Sequence, residues 1–211
     1  MTSARPILAA VLAAVLAAGG LMLAGCAKKP LDPASVAQVG DMSLGNPAAR
    51  VKVIEYASAS CPHCARWDME VFPAFKAKYV DTGKVSYTLK EYLTEPQALA
   101  AAGFLLARCA GPGRYFPVLE AVFRGQDDMV RTGDPRAVLA RIAASPGGMT
   151  PSQLDACMRD TTAEKELAAR VDRHVRVDKI TSTPTFIING VRVEGEMTLP
   201  ELDAAIAKAA G

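Results

Sequence analysis

An excess of charge of either sign is the first thing this sequence lacks: 24 Lys and Arg stand against 22 Asp and Glu in 211 residues. That near balance leaves no electrostatic footprint for nucleic acid. No block of like charges occurs either, so no acidic or basic tail is indicated. Internal repeats are absent, and low complexity is confined to an alanine-rich start. Histidine is scarce, with only two in the chain, His63 and His174. A structural zinc site usually takes four ligands from two separated Cys/His pairs. Here only Cys61 and Cys64 are close neighbours, while Cys109, Cys157 and His174 stand apart. Haem attachment needs a His directly after the second Cys, and that position is Ala65. No metal is expected, nor a Ser/His/Asp set or a phosphate-binding glycine loop.

Charge is also missing between Arg5 and Lys28. A positive start, an apolar stretch and a small-residue stop form the three-part pattern of an export signal. Its end, Leu23-Ala24-Gly25-Cys26, resembles the lipobox of a bacterial lipoprotein signal. The resemblance implies a signal over residues 1–25, cleavage before Cys26 and lipidation of its sulfur. An ordinary cleaved signal, or an uncleaved anchor, is the alternative. The residues from Ile7 to Ala24 lack strong polarity, and a span needs about 17–25 apolar residues. Ala, however, is its commonest residue and it holds two Gly, and both insert weakly. Without Arg5 the exported chain would carry 24 − 1 = 23 basic and 22 acidic groups.

What is present begins with five cysteines: Cys26, Cys61, Cys64, Cys109 and Cys157. An odd number is awkward in an exported protein, because a spare thiol invites wrong pairing. If Cys26 is acylated, four remain, in a compartment where disulfides persist. Half the residues are hydrophobic, enough for a core that needs no staples.

Residues 26–40 hold two prolines after Cys26 and little periodicity, and read as a tether. "VKVIEYAS" (51–58) reads as a buried strand leading straight into Cys61. From there Trp67, Val71, Phe72, Phe75 and Tyr79 recur at helical spacing, and Pro73 should kink or restart the helix. "KVSYTLKEYL" (84–93) alternates like a second strand, so the unit is βαβ with parallel pairing. Helices with Gly and Pro stops fill the next stretch, Thr150-Pro151 opening one of them. Strands return at 183–190 and 191–195, a hairpin turning at Asn189-Gly190, and a last helix closes the chain. The class is α/β: a first half over 41–93, a helical insertion over 94–172 and a second half over 173–211.

"CPHC" at the strand-to-helix junction can close only a tiny loop, which constrains an unfolded chain little. Its position argues for chemistry, with a structural disulfide as the alternative. The thiolate is the nucleophile, and its pKa falls from about 8.5 to about 3.5–7.5 at a helix N-terminus or beside a cation. Cys61 stands where unpaired N–H groups and the helix dipole face its sulfur. A shift of one to five pKa units favours the reduced dithiol by roughly 1.4–7 kcal/mol. Pro62 and His63, between the cysteines, are the dial on that shift.

"CPHC" after a strand, a helical insertion and then "TPTF" resemble the DsbA family of thiol–disulfide oxidoreductases, over about residue 40 to the end. The resemblance implies a thioredoxin fold with an inserted α-helical domain. It implies Cys61 as the exposed attacking cysteine, Cys64 as the buried resolving one and His63 as the stabiliser of the thiolate. Pro184 matches a cis-proline after Thr183 that pairs with substrate backbone; an ordinary turn is the alternative. Glu55 matches a buried acid beneath the pair that exchanges a proton with Cys64; an edge-exposed Glu is the alternative. Lys90, on the adjacent strand, is a weaker candidate neighbour for Glu55.

A second pair in the helical region is familiar from related branches. A Cys109–Cys157 bridge would close 157 − 109 + 1 = 49 residues, worth about 4 kcal/mol in the loop-entropy picture; two buried free thiols are the alternative. Thr183 departs from the best-known oxidase, which has valine there, and this opens an isomerase or reductase reading of the same site. His174, on a charged helix face, reads as solvated. The activity implied is oxidation of reduced or unfolded exported proteins in the periplasm by a lipid-anchored monomer. Its Cys61–Cys64 disulfide is the only redox group needed, and a membrane quinone-linked thiol oxidase would reoxidise it. A non-enzymatic lipoprotein that merely holds partners is a further alternative.

Overall fold

A computed structural model describes Ala34 and residues 36–211. The signal-like segment and Cys26, the candidate lipidation site, lie outside the described residues. Among them no helix is long and apolar enough to cross a membrane.

Two strands carry the design. β2 (Val51–Ala57) and β3 (Val85–Glu91) lie parallel at the centre of a five-stranded sheet, and both are covered on both faces. This is why they read as nearly continuous apolar runs rather than alternating ones. β4 (Thr185–Ile188) pairs antiparallel with β2, and β5 (Val191–Glu194) with β4. β1 (Met42–Gly45) adds antiparallel to the far side of β3, giving the order β1-β3-β2-β4-β5. β1 escaped the sequence reading because four residues, half of them exposed, leave too little pattern. Just before it, Ala34 is fully buried and accepts from the Tyr56 hydroxyl at 3.3 Å, so the segment read as a tether packs down at its end.

The crossover from β2 to β3 runs through α1 (Pro62–Glu70) and α2 (Phe72–Phe75), followed by one wide turn at Lys76–Val80. Pro73 sits in the first turn of α2, where its missing N–H costs nothing. It restarts the helix as the sequence suggested. Trp67 and Phe75 meet Phe72 in an aromatic cluster that Phe186 of β4 and Tyr87 of β3 complete. The β4–β5 hairpin turns at Asn189 and Gly190, whose φ angles of 43° and 89° are those a two-residue hairpin demands.

Between β3 and β4 lie the inserted helices: α3 (Gln97–Cys109), α4 (Tyr115–Thr132), α5 (Pro135–Ala144), α6 (Pro151–Met158) and α7 (Thr161–Arg176). α8 (Leu199–Ala210) closes the fold. Thr150 with Gln153, and Thr198 with Glu201, form capping boxes at α6 and α8, each satisfying two orphan donors. A disulfide joins Cys109 at the end of α3 to Cys157 in α6. α7 runs to Arg176 and so crosses residue 172, the bound set between the insertion and the second half.

Two expectations are corrected. His174 is not solvated: it is fully buried, its Nδ1 2.7 Å from the Glu91 carbonyl oxygen. The cause is the stripe Leu167, Arg170 and His174, which turns toward the core despite the charges around it. Lys90 is not a neighbour of Glu55. Register sets Glu55 opposite Leu89 and Tyr56 opposite Lys90, and successive strand residues face opposite ways. Lys90 instead lies 3.2 Å from Asp178.

Candidate active site

β2 aims the chain at the site and Cys61 starts the next helix. Cys61 is the N-cap of α1, and its sulfur accepts from the Cys64 N–H at 3.4 Å. The loop between strand and helix is held from two directions. Ser58 Oγ accepts from the Thr94 N–H at 3.0 Å, and Ser60 Oγ donates to the Thr94 carbonyl at 3.0 Å. From α4, Gln126 Nε2 donates to the Ala59 carbonyl at 2.9 Å. α3 approaches through Gly103, where a Cβ would stand 2.8 Å from that of Ala59. The inserted helices thus grip the catalytic loop by hydrogen bonds and by contact.

Cys61 and Cys64 are both free thiols; Cys61 keeps a sliver of exposure and Cys64 has none. Facing Cys61 is the Thr183-Pro184 loop, with a cis peptide and the Thr183 carbonyl 3.5 Å from the sulfur. The Thr183 hydroxyl is buried with no hydrogen-bond partner among the described residues. The two thiols are driven apart. Cys61 is held down at about 5, first by a hydrogen bond from the Cys64 thiol, then by Thr183 and the N–H groups of Cys64 and His63, with burial opposing. Burial, followed by its contacts with Cys61, pushes Cys64 well above the ordinary thiol range.

Beneath the pair is Glu55, only 2% exposed, so the edge-exposed alternative is excluded. Burial raises it to about 8, although the Tyr87 hydroxyl donates to its carboxyl and opposes the rise. Asp68, on α1 one turn beyond Cys64, is lifted to about 7 by burial and the nearby Glu120. The site therefore holds two acids that are largely or partly protonated near neutrality.

His63 differs from the role its motif implied. Its backbone N–H supports the Cys61 thiolate, but the ring is turned to the rim. There Nδ1 lies 2.6 Å from Glu196 Oε1 and 2.8 Å from Arg66 Nη2, which is itself 3.1 Å from Glu196. Among the described residues, no group of three or more His, Cys, Asp and Glu side chains is placed to hold a metal ion.

Sequence reasoning found Cys61, Cys64, Glu55, Thr183 and Pro184, and the structure brings these together. It missed Tyr87, Asp68, Gln126 and Glu196. Tyr87 could have been found, because it shares a face with Leu89, which the parallel register sets opposite Glu55. Glu196 carries no pattern of its own.

The family model described as thioredoxin matches residues 37–208. A Rickettsia bellii protein named as a protein-disulfide oxidoreductase is 34% identical over 169 residues, covering 80% of this chain and 64% of that protein. The chain thus spans a little under two thirds of that relative's length. Among solved structures, α-DsbA1 of Wolbachia pipientis superposes with a TM-score of 0.76 at 27% identity, covering 82% of this chain and 92% of that one. Oxidised BdbD of Bacillus subtilis, at 20% identity and a TM-score of 0.70 over 81% of this chain and 92% of that one, shares the fold.

Proposed function

We propose, from the premise that this chain belongs to the thioredoxin family and to its DsbA-like branch, that it is a thiol:disulfide oxidoreductase introducing disulfides into reduced, exported proteins. The observation that carries this reading is the opposite displacement of two thiols on one helix turn, where the Cys64 N–H reaches the Cys61 sulfur at 3.4 Å. A thiol that is ionised at neutral pH is a stable leaving group and a ready nucleophile. One that stays protonated is inert until a base takes its proton.

A substrate thiolate attacks Cys61 of the oxidised pair. The Cys61–Cys64 bond breaks, a substrate–Cys61 disulfide forms, and the electron pair leaves on Cys64. Protonated Glu55 gives its proton to that sulfur, which the apolar surroundings would otherwise leave charged. A second substrate thiolate then attacks the substrate sulfur of the mixed disulfide. The substrate disulfide forms and Cys61 departs as a thiolate, held by the Cys64 thiol, Thr183 and the helix N–H groups. In reoxidation Cys61 attacks the disulfide of a partner, Glu55 takes the proton back from Cys64, and Cys64 displaces the partner from Cys61. The Thr183-Pro184 loop offers the backbone against which substrate lies. The reoxidant is a membrane quinone-linked thiol oxidase, and the protein acts as a monomer facing the periplasm, anchored by lipid at Cys26. Support for this placement is the signal-like segment of residues 1–25.

A disulfide isomerase or reductase is the second reading, favoured by Thr183 before the cis-proline and by the pairing of His63 with Glu196. Equilibration with glutathione separates the two. An oxidase is expected nearer the potential of about −120 mV than thioredoxin's, about −270 mV; a value close to the latter sinks the oxidase reading. Cys64→Ala should trap mixed disulfides with reduced substrate proteins through Cys61, and recovery of none would reverse the assigned order of attack.

A further inference from the structure

Two bonds fix the backbone on either side of Glu196. The Gly195 N–H donates to the Pro184 carbonyl at 2.9 Å, which ties the turn after β5 to the cis-proline loop. The Met197 carbonyl accepts from the Trp67 indole at 2.8 Å, which ties it to α1. Glu196 stands between these anchors, so its side chain is delivered to the rim of the cysteine pair rather than arriving by chance. There it meets His63 Nδ1 and Arg66 Nη2.

Nδ1 has one hydrogen-bonding valence. When it carries a proton it donates to Glu196; when it does not, it accepts from Arg66. It cannot do both. The 2.6 Å contact with Glu196 is thus the one a protonated, cationic ring makes. The groups that bear on Cys61 are Cys64 and the His63 N–H from α1, Glu55 from β2 and Thr183 from the cis-proline loop, while the His63 ring, Arg66 and Glu196 form a cluster at the rim. In that cluster Arg66 and a protonated His63 are positive and Glu196 is negative.

We propose that Glu196 is a positioning residue for His63, holding the imidazole at the rim and neutralising its charge, so that Cys61–Cys64 is a milder oxidant than its Pro-His dipeptide alone would make it. The proposal rests on the reading of Cys61–Cys64 as the redox centre. A cation free to face the sulfur would stabilise the thiolate and hence the reduced pair; a cation already matched by a carboxylate does so less.

Glu196→Gln keeps the size of the side chain and removes the charge. Because the residue lies at the rim, the variant should fold as the parent does. Its Cys61 midpoint, followed by thiolate absorbance against pH, should fall. Its equilibrium with glutathione should shift toward the reduced pair by about three- to tenfold, or about 15–30 mV. In a His63→Ala background the same change should have a smaller effect, short by the part that acts through His63, while the contribution of Arg66 at 3.1 Å remains in both backgrounds. No shift in Glu196→Gln, or an equal shift with and without His63, overturns the proposal. Failure of the redox reading would look different: the parent protein itself would titrate like a free thiol and would not equilibrate with glutathione.

Discussion

Two carboxylates buried on the central strands, Glu55 on β2 and Glu91 at the end of β3, are treated in opposite ways. Glu55 lies among Tyr87, Cys64 and the aromatic cluster, and among the described residues no cation forms an ion pair with it. Glu91 takes Arg108 at 2.6 Å and Arg170 at 2.9 Å, and on the opposite face of β3 Lys90 takes Asp178 at 3.2 Å. Tyr56 and Tyr115 add hydroxyls to Asp178 and Glu91. A buried acid with cations and donors can remain charged, whereas one without them keeps its proton instead. The difference teaches what each acid is for: matched charges lock α3 and α7 to the sheet, and an unmatched acid supplies a proton that can move.

The largest effect should come from breaking the matched side. Glu91→Gln leaves two buried guanidiniums facing a neutral amide, and a loss of about 3–5 kcal/mol is expected, read as a lower urea midpoint. A loss under 1 kcal/mol would mean the two acids do not differ as described. Glu55→Gln should do the reverse. Folded Glu55 keeps its proton up to about pH 8, against an ordinary 4.5. Between those values the unfolded chain ionises first, so stability drains as pH rises, by at most about 1.4 kcal/mol per unit. The variant should lose that slope and gain stability at pH 8 relative to the parent. Its mixed disulfides should resolve more slowly, since Cys64 has lost its proton partner. Identical pH–stability curves for the two proteins would refute the neutral acid. The smallest and sharpest change is Tyr87→Phe. The Tyr87 hydroxyl favours the charged form of Glu55, so its removal should move the inflection for resolution by Cys64 upward, by no more than about one pH unit.

The sequence showed the motif-bearing half of this comparison and hid the other. Strand β2, the restart at Pro73, the Asn189-Gly190 turn and the CPHC junction are local signals, each written in a few consecutive residues. Glu55 was legible because a lone acid in an apolar strand is conspicuous. The matched charges depend on register and on which stripe of α7 turns inward. His174 therefore read as solvated, and Lys90 was set on the wrong side. Glu196 was invisible for a related reason: its position comes from bonds at Gly195 and Met197 to elements far away in sequence. Cys109 and Cys157 could be paired only through resemblance, since nothing local says that α3 and α6 are neighbours.

Cys61 Sγ serves as the N-cap of α1, and this decides how an inactive control should be made. An alanine there removes the reactive atom together with the acceptor that closes the first helical turn, a loss of about 0.5–2 kcal/mol where oxygen caps are concerned. A defect seen in such a variant would mix lost reactivity with a frayed helix start. A serine keeps an acceptor at the same place while discarding the thiolate. The serine variant is therefore the cleaner blank, and the alanine variant measured beside it shows how much a nucleophile that doubles as a cap contributes to holding its own helix.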